Sequence, residues 1–240
     1  MKKLLLAISL FSLLVSSCGR VLGKRVKGSG KISTETRNVS GFNSIRVSSS
    51  IDVYISQDSA FSVKVETDDN LIQHIETSLD GDVLVIDIQK NYNPKPTDAL
   101  KVHVSAPSLQ KLTASGACDI HSTGRLTSTG VFSVKLTGAS DAKLDVKAPK
   151  VTADLTGAGS LELRGETKDL ELKGTGSSEM DCFGMMAENV SVKITGAGDA
   201  DVFASVSLDI KVTGSGSVKY KGSPSVSQKI SGAGSVKKVN

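Results

Sequence analysis

Apolar and polar residues alternate along most of this chain, which is the pattern of β-strands with one buried face. In the first half the alternation runs through Ile45 and Val47, continues over residues 51–55 and returns over residues 61–65. In the second half no stretch has room for a crossover helix between parallel strands. The pattern therefore predicts an all-β protein.

The second half of the chain is a repeat built around a glycine that a small residue follows. A period near 19 residues without helices is typical of one coil of a parallel β-helix. The sequence therefore predicts a right-handed parallel β-helix, or solenoid, with about 19 residues per coil. The repeat glycines, at spacings of 22, 19, 19, 20, 18 and 18 residues, are Gly116, Gly138, Gly157, Gly176, Gly196, Gly214 and Gly232.

Residues at the same distance from a repeat glycine share their chemical character. The columns at positions −2, +4 and +6 are mostly apolar, as in Leu155, Leu161 and Leu163, and are predicted to face the core. Cys118 and Cys182 lie three coils apart, or roughly 14 Å along the axis. A disulfide needs closer Cα atoms, so we expect both cysteines to be free and Cys182 to be buried.

The column at +3 is rich in carboxylates, and it supplies the candidate metal ligands. We expect Asp119 beside Asp141 and Glu179 beside Asp199 on neighbouring coils. Adjacent like charges invite a compensating cation such as Ca²⁺, or a polysaccharide-cleaving site. The alternative is a set of solvated corner residues that bind no metal.

The column at −3 places Lys193, Lys211 and Lys229 on consecutive coils. One interpretation is a stripe that binds an anionic glycan or lipopolysaccharide. The other is that these lysines provide solubility and protect strand edges from pairing. The histidines at 74, 103 and 121 are too few and too scattered for a catalytic triad, so we predict no catalytic residues and no cofactor.

The first half is predicted to cap the solenoid and to supply its first coils. Residues 68–75 could form one short helix with an acidic cap. Leu79–Asp82 reads as a hairpin turn, since Asp-Gly tolerates positive φ. We therefore divide the domain into a β-rich part over 37–110 and a repetitive part over 111–240.

The start of the chain indicates export. Residues 1–17 have a basic start and a short apolar run, which is typical of a signal peptide. Leu14–Cys18 resembles a bacterial lipobox, so we expect lipidation at Cys18 and a polar tether over 18–36. We expect the lipid to place the protein in the outer membrane. The sequence does not decide between the periplasmic and the outer face of that membrane.

Composition narrows the range of partners. The net charge is +4 and no basic run is present, so we expect no nucleic-acid partner. Aromatic residues are only 4% of the chain, which argues against a deep sugar-binding cleft. We expect contact with the membrane through Cys18. The sequence also allows a glycan, an envelope protein or a second copy of the chain as a partner.

Two segments resemble a known family. The runs Arg37–Ile55, with RNVSGFNSIRVSSSIDVYI, and Ala106–Ala117, with APSLQKLTASGA, are similar to the family called putative autotransporter adhesin, head GIN domain. The resemblance covers about residues 36–240 and implies an exported bacterial β-helical protein. Taking the sequence as a whole, we predict a non-enzymatic, adhesin-like display module; the alternatives are a periplasm-facing scaffold and a polysaccharide-active enzyme.

Overall fold

The computed structural model describes residues 23–240 of the 240-residue chain. The predicted signal peptide and the predicted lipidation at Cys18 lie outside these residues. The described chain is an all-β solenoid of about 7 turns with about 19 residues per coil, as the repeat predicts. Its helical content is a 3₁₀ turn at Ile72–His74, and no helix among residues 23–240 is long and apolar enough to cross a membrane.

The strands are short in the first half and long in the repeat. Those of the first half are β1 (Lys24–Lys27), β2 (Ile32–Arg37), β3 (Ser44–Ser49), β4 (Asp52–Gln57), β5 (Ser62–Asp68), β6 (Ile75–Asp80), β7 (Val83–Ile88), β8 (Tyr92–Lys95) and β9 (Lys101–Ala106). Those of the repeat are β10 (Lys111–Gly116), β11 (Asp119–Thr127), β12 (Val131–Gly138), β13 (Asp141–Gly157), β14 (Ser160–Gly176), β15 (Glu179–Gly196), β16 (Asp199–Gly214), β17 (Ser217–Gly222), β18 (Ser225–Gly232) and β19 (Ser235–Lys238).

Each coil of the repeat has two legs and two corners. The first leg leads into the repeat glycine, and the first corner follows at the glycine and its small neighbours. The second leg then runs to a second corner, which β13 to β16 pass without a break in strand structure. Neighbouring coils pair in parallel and in register, so that Gly138 lies opposite Gly157 and Gly157 lies opposite Gly176.

The first corner requires glycine for two physical reasons. Gly157 has φ +121, a conformation that residues with a side chain resist. A Cβ atom at Gly157 would also overlap the carbonyl oxygen of Gly138 in the coil before. That oxygen accepts a hydrogen bond of 2.9 Å from the backbone N–H of Ala158, so the close approach holds adjacent coils together.

The core lies between the two legs and is filled by the inward columns. Leu155, Leu161 and Leu163 are all buried, as their columns predict. The last coil differs, because no further coil among the described residues covers it. There Ile230 is 38% exposed although it continues a core column.

The first half supplies the first coil and a cap. Strands β3 and β4 pair in parallel with β10 and β11, so they form the first coil's two legs. The antiparallel pairs β2–β5, β5–β9 and β6–β7 surround that coil. The predicted hairpin at Leu79–Asp82 is confirmed, with Gly81 at φ +63 between β6 and β7.

Two predictions about the first half are wrong. The polar tether over 18–36 cannot extend to residue 36, because β1 pairs with β8 and β2 pairs with β5. Residues 68–75 form only the 3₁₀ turn, because Asp68 ends β5 instead of capping a helix. The buried Asp68 carboxylate accepts hydrogen bonds from the backbone N–H groups of Gly30 and Thr97 at 2.7 and 2.9 Å. It thereby joins the N-terminal strands to the domain.

Candidate binding surfaces of the solenoid

The structure places the predicted carboxylates in one outward column beside the first corner. Asp119 lies opposite Asp141, and Glu179 lies opposite Asp199. Asp52 on β4 lies opposite Asp119 and extends the column. We call these five residues the acidic ladder.

Sequence reasoning missed Asp52 because Ser49 stands where later coils have the repeat glycine. Ser49 lies opposite Gly116 and keeps a positive φ of 78°. The spacing of three residues from Ser49 to Asp52 was the available signal. Burial, and secondarily the charge of Asp119, raise the pKa of the Asp52 carboxyl.

Two carboxylates of the acidic ladder are engaged within the fold. Asp141 accepts hydrogen bonds from the backbone N–H and the hydroxyl of Ser160 in the next coil, at 2.7 and 2.6 Å. Asp199 accepts the same pair of bonds from Ser217. Within residues 23–240 there is no group of three or more His, Cys, Asp or Glu side chains that could hold a metal ion. Asp141 and Asp199 therefore have a structural task, which is to fasten one coil to the next.

The predicted lysine stripe is continuous and one residue longer than expected. Lys193 lies opposite Lys211, and Lys211 lies opposite Lys229 on the first legs of consecutive coils. Lys173 precedes them on β14, opposite Lys193. We call these four residues the lysine ladder; all four are exposed.

The charge environment changes along the lysine ladder. Lys173 forms an ion pair of 2.7 Å with Glu171, which raises the pKa of Lys173 and lowers that of Glu171. Lys193, Lys211 and Lys229 form no ion pair with any residue of the described chain. The C-terminal half of this face therefore presents three uncompensated ammonium groups.

A hydroxyl column runs beside the lysine ladder on the same face. Its members are two residues nearer the first corner, so their side chains point the same way as the lysines. They are exposed and paired in register, and they are Thr175, Thr195, Thr213 and Ser231. Each coil therefore offers an ammonium group and a hydroxyl group side by side; we call such a pair a rung.

The second corner carries an apolar groove that the sequence did not predict. The groove has a volume of about 640 Å³ and runs along several coils, with Pro149, Met186 and Phe203 in its wall. Met186 lies opposite Phe203 and is 50% exposed. The spacing of residues around the second corner varies from coil to coil, so no column in the sequence marks this groove.

The histidines are less scattered than the sequence suggests. The ring of Tyr54 stacks on those of His103 and His121, with centroid distances of 5.2 and 5.4 Å. These residues lie opposite each other on β9, β4 and β11. His74 lies elsewhere, stacked on Tyr92, so the three histidines still form no triad.

Both cysteines in the described chain are free and buried. Burial raises the pKa of the Cys118 thiol, and burial raises that of Cys182 strongly. A protonated, inaccessible thiol is a poor nucleophile. These side chains therefore act as small apolar groups of the core.

Known structures share this fold over their whole length. A "putative adhesin" from Bacteroides fragilis is 25% identical with a TM-score of 0.85, and the match covers 89% of this chain and 100% of that one. A "putative adhesin" from Parabacteroides distasonis is 27% identical with a TM-score of 0.72, covering 90% and 100%. A "Putative lipid binding protein" from the same species is 24% identical with a TM-score of 0.70, covering 90% and 100%.

No curated protein matches the chain. Residues 41–224 match one protein family, which confirms the resemblance seen in the sequence. Because this match covers more than half of the chain, the chain belongs to the family described as "Putative auto-transporter adhesin, head GIN domain".

Proposed function

We propose that this protein is a non-enzymatic, adhesin-like binding module of the bacterial cell envelope, anchored in the outer membrane by lipid on Cys18. The observation that carries the proposal is the in-register stacking of outward side chains on the flat legs of the solenoid. Such columns present the same group at every coil, about 4.8 Å apart. A repetitive partner can then contact several coils at once, which multiplies weak contacts.

Further support comes from the names of the structural relatives and from the hydrogen bonds that already occupy the candidate catalytic carboxylates. The structural relatives carry names of adhesins or of a lipid-binding protein, not of enzymes. The carboxylates of Asp141 and Asp199 are committed to the serines of the next coil. A glycoside-cleaving pair would need both carboxyl groups directed at a bound sugar.

The second candidate function is a periplasm-facing scaffold, and the apolar groove of the second corner favours it. An exposed apolar surface of this kind is typical of a protein contact site. On this hypothesis the partner is another envelope protein, and the solenoid acts as a rigid spacer.

The test is to label intact cells with an amine reagent that cannot cross the outer membrane. The exposed lysines of the solenoid supply the reactive groups. Labelling of intact cells, with a periplasmic protein unlabelled, supports the adhesin-like function. Labelling only after the outer membrane is opened supports the scaffold and refutes surface display.

The anchor is tested separately with a Cys18→Ala variant. Wild-type protein is expected in the membrane fraction, and the variant is expected in the soluble fraction because it has no thiol to acylate. A variant that remains in the membrane fraction would contradict lipid anchoring through Cys18.

A further inference from the structure

The lysine ladder differs from two lysines of the second legs, which have counter-charges. On the second legs, lysines pair with acids of the neighbouring coil: Lys143 with Glu162 at 2.8 Å, and Lys147 with Glu166 at 3.0 Å. Stacked like charges on neighbouring strands destabilise a sheet. Lys193, Lys211 and Lys229 form no ion pair within the described chain, so their mutual repulsion works against the fold's stability.

Protection of a sheet edge does not explain the ladder. Lys193 lies on β15 and Lys211 on β16, and each of these strands pairs on both sides of the first leg. Only Lys229, on β18, lies on the last strand of that leg among the described residues.

The neighbouring positions point to a ligand with negative groups and hydrogen-bonding oxygens. Thr195 and Thr213 can each donate a hydroxyl hydrogen beside an ammonium group. Asp209 lies on the same face, two residues before Lys211, and forms no ion pair with Lys211. Hydrogen bonds to charged groups are stronger than neutral ones, so each rung suits a carboxylate or sulfate flanked by a hydroxyl.

Resting on the proposed function, we propose that the lysine ladder binds a linear acidic polysaccharide whose chain runs along the solenoid axis. Neighbouring rungs are about 4.8 Å apart, close to the length of one sugar unit in an extended chain. A polymer with one acidic group per sugar can therefore meet one lysine per coil. Nucleic acid fits less well, because this face offers no aromatic ring on which bases could stack.

The test uses the purified full-length protein and polygalacturonate, which has one carboxylate per sugar. Dextran is the neutral polymer, and single-stranded DNA is the competing polyanion. Binding is measured by calorimetry at low and high salt. The test variant replaces Lys193, Lys211 and Lys229 by Gln. The matched control replaces Lys27, Lys90 and Lys95, which are also exposed, by Gln; this removes the same charge from the other end of the molecule.

The wild type and the control are expected to bind polygalacturonate, more weakly at high salt because exposed charges are screened. The test variant is expected to lose about tenfold or more in affinity, since it lacks three charge-assisted contacts. It should fold normally and melt at an equal or higher temperature, because like-charge repulsion is removed. A Thr195→Val, Thr213→Val variant should show a smaller loss.

Several results would overturn this inference. One is a test variant that binds within about twofold of the wild type, since three such contacts are worth more. Another is an equal loss in the control, which would show that net charge alone matters. Equal binding of dextran, or tighter binding of single-stranded DNA, would refute the acidic polysaccharide. These outcomes leave the cell-labelling test untouched, so failure of this inference and failure of surface display are distinguishable.

Discussion

Substituting one repeat glycine should weaken the whole stack of coils. In Gly157→Ala, the new residue must adopt φ near +121, which costs about 1–3 kcal/mol for a residue with a side chain. Its Cβ also overlaps the carbonyl oxygen of Gly138, and overpacking of a rigid site costs about 1–3 kcal/mol more. The expected loss in the free energy of unfolding is therefore about 2–6 kcal/mol.

The matched control is Gly124→Ala. Gly124 has no positive φ, and a Cβ there meets no atom within 4 Å. This substitution should leave the free energy of unfolding unchanged or raise it by up to about 1 kcal/mol, because alanine reduces the freedom of the unfolded chain.

Urea denaturation, followed by circular dichroism, measures both variants against the wild type. The comparison is valid where the slope against urea is the same for all three proteins. If Gly157→Ala unfolds at the same urea concentration as Gly124→Ala, the first corner does not depend on close backbone contact between coils. The structural role assigned to the repeat glycines would then be refuted.

Four further predictions concern the core, pH, the thiols and metals. Leu163→Ala should lower the free energy of unfolding by about 2–5 kcal/mol in the same denaturation assay, because it leaves a cavity in the core; a loss below about 1 kcal/mol would contradict that packing. Hydrogen bonds, first that from the Thr97 backbone, lower the pKa of Asp68, so its stabilising effect should be lost as the pH falls below the ordinary value of 3.8. The melting temperature of Asp68→Asn should accordingly be lower at neutral pH and fall less on acidification; parallel curves would refute this. Cys118 and Cys182 should not react with a thiol reagent until the protein is denatured, and rapid labelling of the native protein would contradict their burial. Calcium and chelator should leave the melting temperature unchanged, because serines of the next coil already engage Asp141 and Asp199 of the acidic ladder; a clear upward shift with calcium would contradict this expectation.

The repeat made most of the fold predictable. In a solenoid the spatial neighbour of a residue lies one period away in the sequence, so the column that contains Leu155 also describes its contacts. For the same reason the register of Asp119 with Asp141 and of Lys193 with Lys211 followed from counting residues. Because coils stack in parallel and in register, the period of the sequence directly gives the pairs of residues that lie opposite each other in the fold.

The parts outside the repeat were less predictable. Strands β1 and β2 have almost no apolar alternation. Backbone hydrogen bonds and the Asp68 carboxylate fix these strands instead of core packing, so their sequences carry no strand pattern. The stack of Tyr54 with His103 and His121 joins residues that are 49 and 67 positions apart in the chain. No local pattern reports contacts at such separations. The apolar groove depends on corners of unequal length, which a column analysis cannot show.

Because neighbouring coils pair in register, the length of the solenoid is fixed in units of whole coils. A change of length by one complete period would leave every face intact and add one rung to each column, whereas a slip of one residue would turn core side chains outward. Variants of this architecture should therefore differ in length by entire coils. The length of the solenoid and the number of residues in each outward column would then increase together and in equal steps.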